Sequence, residues 1–520
     1  GGVVNFTYRS SGEGTFVEEA PNRDLHPMMA KRLQLGRFDA FDLERVTTLE
    51  DIYLFHGIAR DNDQDQRLFA VAEVRDLTPV RGESGAIRLP EFERMYREVL
   101  GSIRRFQARL PTHQRLIFNR VFLHVWPVLE LPRSDIDRLV ARLGRETEGI
   151  GLQQVEVSVR MKTEGPAKVV PSTLEFSNPG GSGISVRLRR TRADDVEPLS
   201  PTEQRIARLR QRGLRHPIDV VETLTMGATV ARGDFVEHEL VDGRLRPVDR
   251  PLGEHGGNVV VGLVSNPSPT YLEGMRRVVI IGDPSRGLGN VAEAECTQIV
   301  AALDLAEQLG VPAEWFAVSA GARISMESGT ENMDWIGLVL RRLVEFTQAG
   351  GEINVVVTGI NVGAQPYWNA EATMLMHTKG ILIMMPESAM VLTGKQALDY
   401  SGGVSAEDNQ GIGGYERIMG PNGQAQYFAR DISEACRILL DHYRFSYTAP
   451  GESFPRLAPT SDPIDRDIRE SPHGGEFATI GDVFSPASNP DRKLPFEIRQ
   501  VMAAVSDSDL PSQERWHGMQ

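Results

Sequence analysis

From residue 258 onward the chain carries short, almost unbroken apolar runs, at 259–264, 278–282, 315–318, 353–358 and 381–385. These runs constrain the fold more than any other feature. A strand with one wet face alternates apolar and polar residues, whereas a strand covered on both faces has no need to. Segments with helical spacing alternate with the runs, at 293–309, 335–348 and 369–376. The expectation is a layered α/β core with helices packed on a buried sheet.

Two of the runs end on small residues. One breaks at Ser319-Ala320-Gly321-Ala322 and is followed by Arg323 and Ser325; the other breaks over 359–364, at Gly359, Asn361, Gly363 and Ala364. Turns that leave neighbouring buried strands can bring two backbone N–H groups to one point. Such a pair can hold the oxyanion that develops on a thioester enolate. Gly321, Ala322 and Arg323 on one turn, with Gly363 and Ala364 on the other, are therefore the candidate catalytic residues. The donors would be the amides of Ala322 or Arg323 and of Gly363 or Ala364.

The length of 520 residues suggests two to four domains. Residues 1–109 and 110–195 read as two small α+β parts, and 196–520 as a larger domain with an irregular tail from 449. In the first part, 67–74 reads as a strand. Residues 91–110 read as a helix with Phe92, Met95, Tyr96, Val99, Leu100 and Ile103 on one stripe. In the second, 119–127 reads as a strand ended by Pro127, Ser134 as the cap of a helix through 143, and 154–160 and 183–190 as strands joined by a turn at 178–183. Asp242-Gly243 between 235–240 and 245–248 reads as a hairpin.

The net charge of -14 argues against nucleic acid as the main partner. Arg205, Arg208, Arg210, Arg212 and Arg215 crowd one segment, which reads first as a solvated helix face. The two cysteines, Cys296 and Cys436, have no CxxC spacing, which fits a cytoplasmic location and argues against a disulfide framework. No apolar run reaches a membrane span. The ends look cut, so a piece of a longer polypeptide is expected.

Several motifs stay open between a functional and a plain reading. Residues 283–290 leave a strand and could meet phosphates at a helix start, or form an ordinary turn. Ser319 lacks the G-x-S-x-G frame of a hydrolase nucleophile. His377 reads as a core histidine more readily than as a base. Glu371 and Glu387 are isolated carboxylates. Met161-Lys162 lacks the second methionine of a biotin-attachment site. The glycine-dense stretch 393–414 allows close approach to a ligand, or makes a lid. No metal motif, dinucleotide fingerprint or phosphate loop occurs.

The ordered motifs at 235–250, 274–283, 319–324, 391–394, 408–414 and 462–466 resemble the N-terminal half of the carboxyltransferase component of single-chain, eukaryotic-type acetyl-CoA carboxylases. Residues 25–27, 43–46 and 119–127 resemble the central region that bridges the biotin modules to the carboxyltransferase in the same family. Ala320 and Ser325 depart from the family's usual Ser-Gly-Ala-Arg-Ile-Gly, which leaves acyl-chain preference open. The resemblance implies a crotonase-like (ββα superhelix) domain preceded by small α+β bridging domains. It implies carboxyl transfer from carboxybiotin, on a carrier domain outside this chain, to acetyl-CoA or a short acyl-CoA, giving malonyl-CoA for fatty acid biosynthesis. It also implies a homodimer through the carboxyltransferase domains, biotin carboxylase (ATP-binding) and carrier modules elsewhere, and no metal in this portion. Arg276, Arg277 and Arg286 are the candidates for the coenzyme A phosphates. The competing readings are a crotonase-type hydratase or isomerase using Glu371 or Glu387, and a non-catalytic scaffold.

Overall fold

The structure is a computed structural model that describes residues 6, 8–12, 14–18, 28–48, 51–81, 87–111, 114–147, 150–162, 169–177, 185–190, 194–226, 232–326, 328, 332–374, 378–402 and 405–515. The chain forms two compact units, 1–214 and 215–520.

The first unit is built on β1 (Phe41–Val46), β2 (Ile52–Ala59), β3 (Asn62–Val74), α1 (Pro90–Gln107), β4 (Asn119–Leu129), α2 (Arg133–Gly144), β5 (Leu152–Lys162), β6 (Val169–Ser177), β7 (Ser185–Arg190) and α3 (Pro201–Gln211). Its strands make one seven-stranded sheet in the order β7-β6-β5-β4-β3-β2-β1. β3, β4 and β5 are parallel, because α1 and α2 return the chain between them. α1 starts on Pro90 with Glu91 and Glu93 in its first turn, and it buries the stripe from Phe92 to Ile103. The divide expected at 109/110 therefore falls inside a single sheet. The basic helix α3 also belongs to this unit. The Leu199 N–H just before it donates to Asp65 Oδ2 at 2.7 Å, and Asn62 Nδ2 donates to the Leu199 carbonyl at 2.9 Å.

Some local expectations shift. Pro127 does not end β4: the ladder to β5 slips between His124 and Val128, and the strand continues to Leu129. A bulge absorbs the missing N–H. α2 begins at Arg133, one residue before the expected cap. β6 was not anticipated, since Pro171 interrupts its apolar pattern; the turn expected at 178–183 lies outside the described residues.

The second unit contains α4 (Pro217–Met226), β8 (Asp234–Val241), β9 (Arg244–Pro247), β10 (Val259–Asn266), β11 (Met275–Gly282), α5 (Glu293–Leu309), β12 (Ala313–Ser319), α6 (Asn332–Gln348), β13 (Ile353–Val362), α7 (Ala364–Ala372), β14 (Leu382–Met384), β15 (Ala389–Val391), α8 (Lys395–Tyr400), α9 (Asn409–Gly413), β16 (Tyr427–Phe428), α10 (Ile432–Ser446), α11 (Ile480–Phe484) and α12 (Ile498–Val505). They build a nine-stranded sheet in the order β9-β8-β10-β11-β12-β13-β14-β16, with β15 also paired to β13. The β8–β9 hairpin turns on Asp242 and Gly243, both at positive φ.

Successive side chains of the central strands face opposite ways, and helices cover both faces. Val278, Ile280, Trp315 and Val355 pack under α5 and α6, whereas Val279, Ile281, Phe316 and Val356 pack under α4 and α10. That double cover explains the unbroken apolar runs. β11, β12, β13 and β14 are parallel, so their C-terminal ends gather at one edge of the sheet. The tail from 449 is mostly irregular, with α11 and α12 as short helices.

Candidate active site at the strand ends

In an open α/β sheet, loops after the parallel strands converge where ligands bind. Here the loops after β11, β12 and β13 meet at that edge. Gly321 follows β12 at φ 93° and Gly363 follows β13 at φ 69°. The two glycines face one another: a Cβ on Gly363 would lie 3.7 Å from Gly321 Cα, and one on Gly321 would lie 3.4 Å from the Val362 carbonyl oxygen. The structure thus brings together both turns singled out in the sequence. The second turn is tighter than expected, because β13 runs on through Gly359 to Val362.

Hydrogen bonding separates the candidate donors. Gly321 N–H donates to Ser319 Oγ at 3.1 Å, and Arg323 N–H donates to the Val291 carbonyl at 2.8 Å. Gly363 N–H is shared between the carbonyls of Val391 and Leu392, both at 3.1 Å. Among the described residues the amides of Ala322 and Ala364 donate to no protein group. Both residues are half-buried. Ala364 opens α7, so its N–H also lies at the positive end of a helix. Ser319 is 1 % exposed and its hydroxyl braces the turn, a structural task rather than a nucleophile's.

Buried amides fix α7 against the sheet. Asn361 Nδ2 donates to the carbonyls of Ala317 at 3.0 Å and Gly359 at 3.1 Å. Asn369 Nδ2 donates to Asn361 Oδ1 at 3.0 Å, and Gln365 Nε2 donates to Asn369 Oδ1 at 2.9 Å. The sequence reading missed these three. A polar side chain closing an apolar run was the one signal for Asn361; Gln365 and Asn369, inside α7, carried none.

The loop after β11 supports the first turn. Ala320 N–H donates to the Leu288 carbonyl at 2.9 Å, and Val291 N–H donates to the Gly321 carbonyl at 3.0 Å. The loop is held from beneath by buried Asp283. Its Oδ2 meets His255 Nε2 at 2.9 Å and Ser285 Oγ at 2.8 Å, with Arg286 Nε at 3.6 Å and His216 Nε2 at 3.9 Å. Burial pushes the Asp283 carboxyl up, but the hydrogen bonds from His255 and Ser285 and the nearby His216 outweigh it and hold the carboxyl below its ordinary value. The loop does not run straight into a helix. α5 begins only at Glu293, and its first turn already carries Glu293 and Glu295, with Glu295 Oε2 accepting the Ala292 N–H at 2.9 Å. That helix start is therefore no phosphate site.

The three candidate phosphate-binding arginines part company. Arg277 is fully buried. Its Nε donates to Glu314 Oε1 and its Nη2 to Asn266 Oδ1, both at 2.8 Å, and its guanidinium lies 5.1 Å from the centre of the Tyr443 ring. It is a core cation and cannot meet a dissolved phosphate. Arg276 is exposed but sits near the start of β11, six residues or about 20 Å from the loop edge. Arg286 alone lies at that edge, 30 % exposed. Arg323 is exposed and forms no ion pair among the described residues.

Glu371 is seven residues along α7 from Ala364, about 10 Å down the helix axis. Glu387 is exposed in the turn between β14 and β15. Glu371 is therefore set back from the paired turns, where a hydratase carboxylate would stand. His377 lies outside the described residues. Part of the glycine-dense stretch packs against β15 through α9, where a Cβ on Gly413 would come within 1.9 Å of the Met390 carbonyl oxygen. Among the described residues no group of three or more His, Cys, Asp or Glu is placed to hold a metal ion, and no helix is long and apolar enough to cross a membrane.

Comparison with known proteins agrees with this division. Residues 3–188 match the family described as acetyl-CoA carboxylase, central region, and residues 271–519 match the carboxyl transferase domain. Acetyl-CoA carboxylase of Schizosaccharomyces pombe is 22 % identical over 374 residues, covering 62 % of this chain and 16 % of its own length. That of Dictyostelium discoideum is 20 % identical over 613 aligned positions, covering 90 % of this chain and 26 % of its own. The chain thus spans a minor part of these relatives. Among solved structures, a transcarboxylase 12S crystal structure with hydrolysed methylmalonyl-coenzyme A bound is 19 % identical, with a TM-score of 0.44, covering 59 % of this chain and 53 % of that one. The chain thus combines a segment that matches the acetyl-CoA carboxylase central region, over 3–188, with one that matches the carboxyl transferase domain, over 271–519.

Proposed function

We propose that the second unit is the coenzyme A half of a carboxyltransferase site in a biotin-dependent acyl-CoA carboxylase. The reaction moves CO2 from carboxybiotin to the α-carbon of acetyl-CoA or a short acyl-CoA, giving malonyl-CoA for fatty acid biosynthesis. One observation carries the reading: two facing turns each present an amide, Ala322 and Ala364, that donates to no group among the described residues. A thioester oxygen placed between them is stabilised as the α-carbon loses its proton and the oxygen gains enolate charge. Each such donor contributes about 10²–10³ in rate. Arg323 orients the substrate, and Arg286 is the arginine positioned for a coenzyme A phosphate.

Carboxybiotin, when bound, supplies the activated carboxyl group. What this chain offers beside it is an apolar rim of exposed side chains, Leu288, Ile324, Met326, Tyr367 and Leu392. That rim suits closure by a second, similar domain from a partner subunit, which would complete the biotin-facing wall. The biotin carboxylase and carrier modules belong elsewhere in the same or another chain. The first unit serves as a non-catalytic bridge. The buried free cysteines Cys296 and Cys436 suit a reducing compartment such as the cytoplasm.

The test is malonyl-CoA decarboxylation by the full-length protein with free biotin. Biotin-dependent turnover is expected. Absence of any biotin dependence together with hydration of an enoyl-CoA would overturn the reading. Residues 1–520 alone should be inactive.

A further inference from the structure

The first unit holds a cavity of about 860 Å³ that the carboxyltransferase reading does not use. It opens where α1 stops covering the sheet. His56 on β2 is paired with Leu68 on β3, and Ile58 with Gln66, so His56, Gln64 and Gln66 continue the face that α1 covers further along. Past the end of α1 these polar side chains line open space. His56 Nε2 is buried there with no hydrogen-bond partner. Phe106, Leu110, Leu116 and Phe118 supply an apolar wall.

The charge of the lining is one-sided. Arg115, Arg208 and Arg212 border the cavity, and among the described residues no carboxylate does. Among the described residues none of the three guanidinium groups forms an ion pair or hydrogen bond. Glu44, the cross-strand neighbour of His56, is exposed and outside the lining. Elsewhere in this unit arginines over buried ground are paired: Arg37 and Arg120 with Glu156, Arg67 with Asp65 and Arg142 with Glu93. Unpaired like charges around one concavity repel, and an anion relieves that repulsion while planar guanidinium forks grip its oxygens. The cavity is within the roughly 300–1,000 Å³ range of small-molecule sites.

We propose that this cavity is a binding site for a small amphipathic anion, a carboxylate or phosphate head on an apolar or aromatic body. The head lies among Arg115, Arg208 and Arg212, and the body packs on Phe106 and Phe118. The basic segment of α3 then has a ligand to hold and is more than a solvated face.

The proposal stands apart from the carboxyltransferase reading and is tested by binding alone. Calorimetric titration of the chain uses phenyl phosphate, phenylacetate and inorganic phosphate as probes. Saturable binding of at least one aryl anion is expected, about tenfold tighter than inorganic phosphate. The preferred aryl probe tells a phosphate head from a carboxylate head. The double variant R208Q/R212Q should weaken that binding tenfold or more, whereas R205Q should stay within twofold. Arg205 is on the same helix but donates to Thr202 Oγ1 and does not line the cavity. Arg205, Arg208 and Arg212 are all exposed, so the variants should melt like the parent. No saturable binding of either aryl anion, or equal weakening by R205Q and by the double variant, would overturn the proposal.

Discussion

Gly363→Ala probes how tightly the two turns are held. Gly363 has φ 69° and ψ -118°, a conformation that a residue with a Cβ adopts at a cost of about 1–3 kcal/mol. The added Cβ would lie 3.7 Å from Gly321 Cα, an ordinary contact, so the cost is backbone strain rather than collision. The strain has two outlets. The fold can absorb it, losing about 1–3 kcal/mol of stability. Alternatively the turn can rotate, breaking the bonds from Gly363 N–H to Val391 and Leu392 and carrying the Ala364 amide out of line. Rotation should lower kcat by about 10²–10³. KM for the acyl-CoA should change little, because the donor acts mainly in the transition state. The assay is carboxyl transfer by the full-length protein, with thermal unfolding alongside. Gly350→Ala is the control. Gly350, after α6 at the opposite edge, also has positive φ (92°), and its Cβ would meet only Lys379 Nζ at 3.9 Å. It should lose stability without losing kcat in the folded enzyme. Parental kcat and parental stability together in Gly363→Ala would refute the reasoning.

Further outcomes follow from the same geometry. Glu314→Gln leaves Arg277 charged, buried and without its carboxylate, so denaturant unfolding of the second unit should lose about 3–5 kcal/mol; a loss under about 1 kcal/mol would contradict the role given to this pair. Because the Asp283 carboxyl is held below its ordinary value of 3.8, its contribution to stability is full above that value and is lost as pH falls through the folded pKa. Asp283→Asn should therefore be less stable than the parent at neutral pH, with the gap closing below pH 3.8, and a gap independent of pH would refute the assignment. Gly413→Ala places a Cβ within 1.9 Å of the Met390 carbonyl and should push α9 off β15, whose carbonyl at Val391 holds Gly363. Unchanged turnover with unchanged melting would count against that bracing.

The α/β core was legible because strands buried on both faces must be apolar throughout, and α5 appears at the bounds its periodicity suggested. The paired turns were legible because glycine at a strand end signals a backbone other residues resist. What escaped notice was polar and internal. Asn361 looks like a turn residue and Asn369 like the exposed start of a helix in sequence, yet both are buried and tie α7 to β12 and β13. Arg276 and Arg277 look equivalent as neighbours, but strand alternation sends one outward and the other into the core beside Glu314. Alternation could have separated them; the identity of the partner on β12 could not be read without the register. Which amides are free is likewise a tertiary fact. Arg323 loses its donor to Val291, a residue from a loop thirty-two positions earlier in the chain.

The central claim is that the amides of Ala322 and Ala364 share one oxyanion. The most direct measurement is a crystal structure of the full-length protein with a CoA thioester bound. The thioester oxygen should lie about 2.7–3.1 Å from both nitrogens. A thioester oxygen held elsewhere, with either amide still facing solvent, would contradict the account.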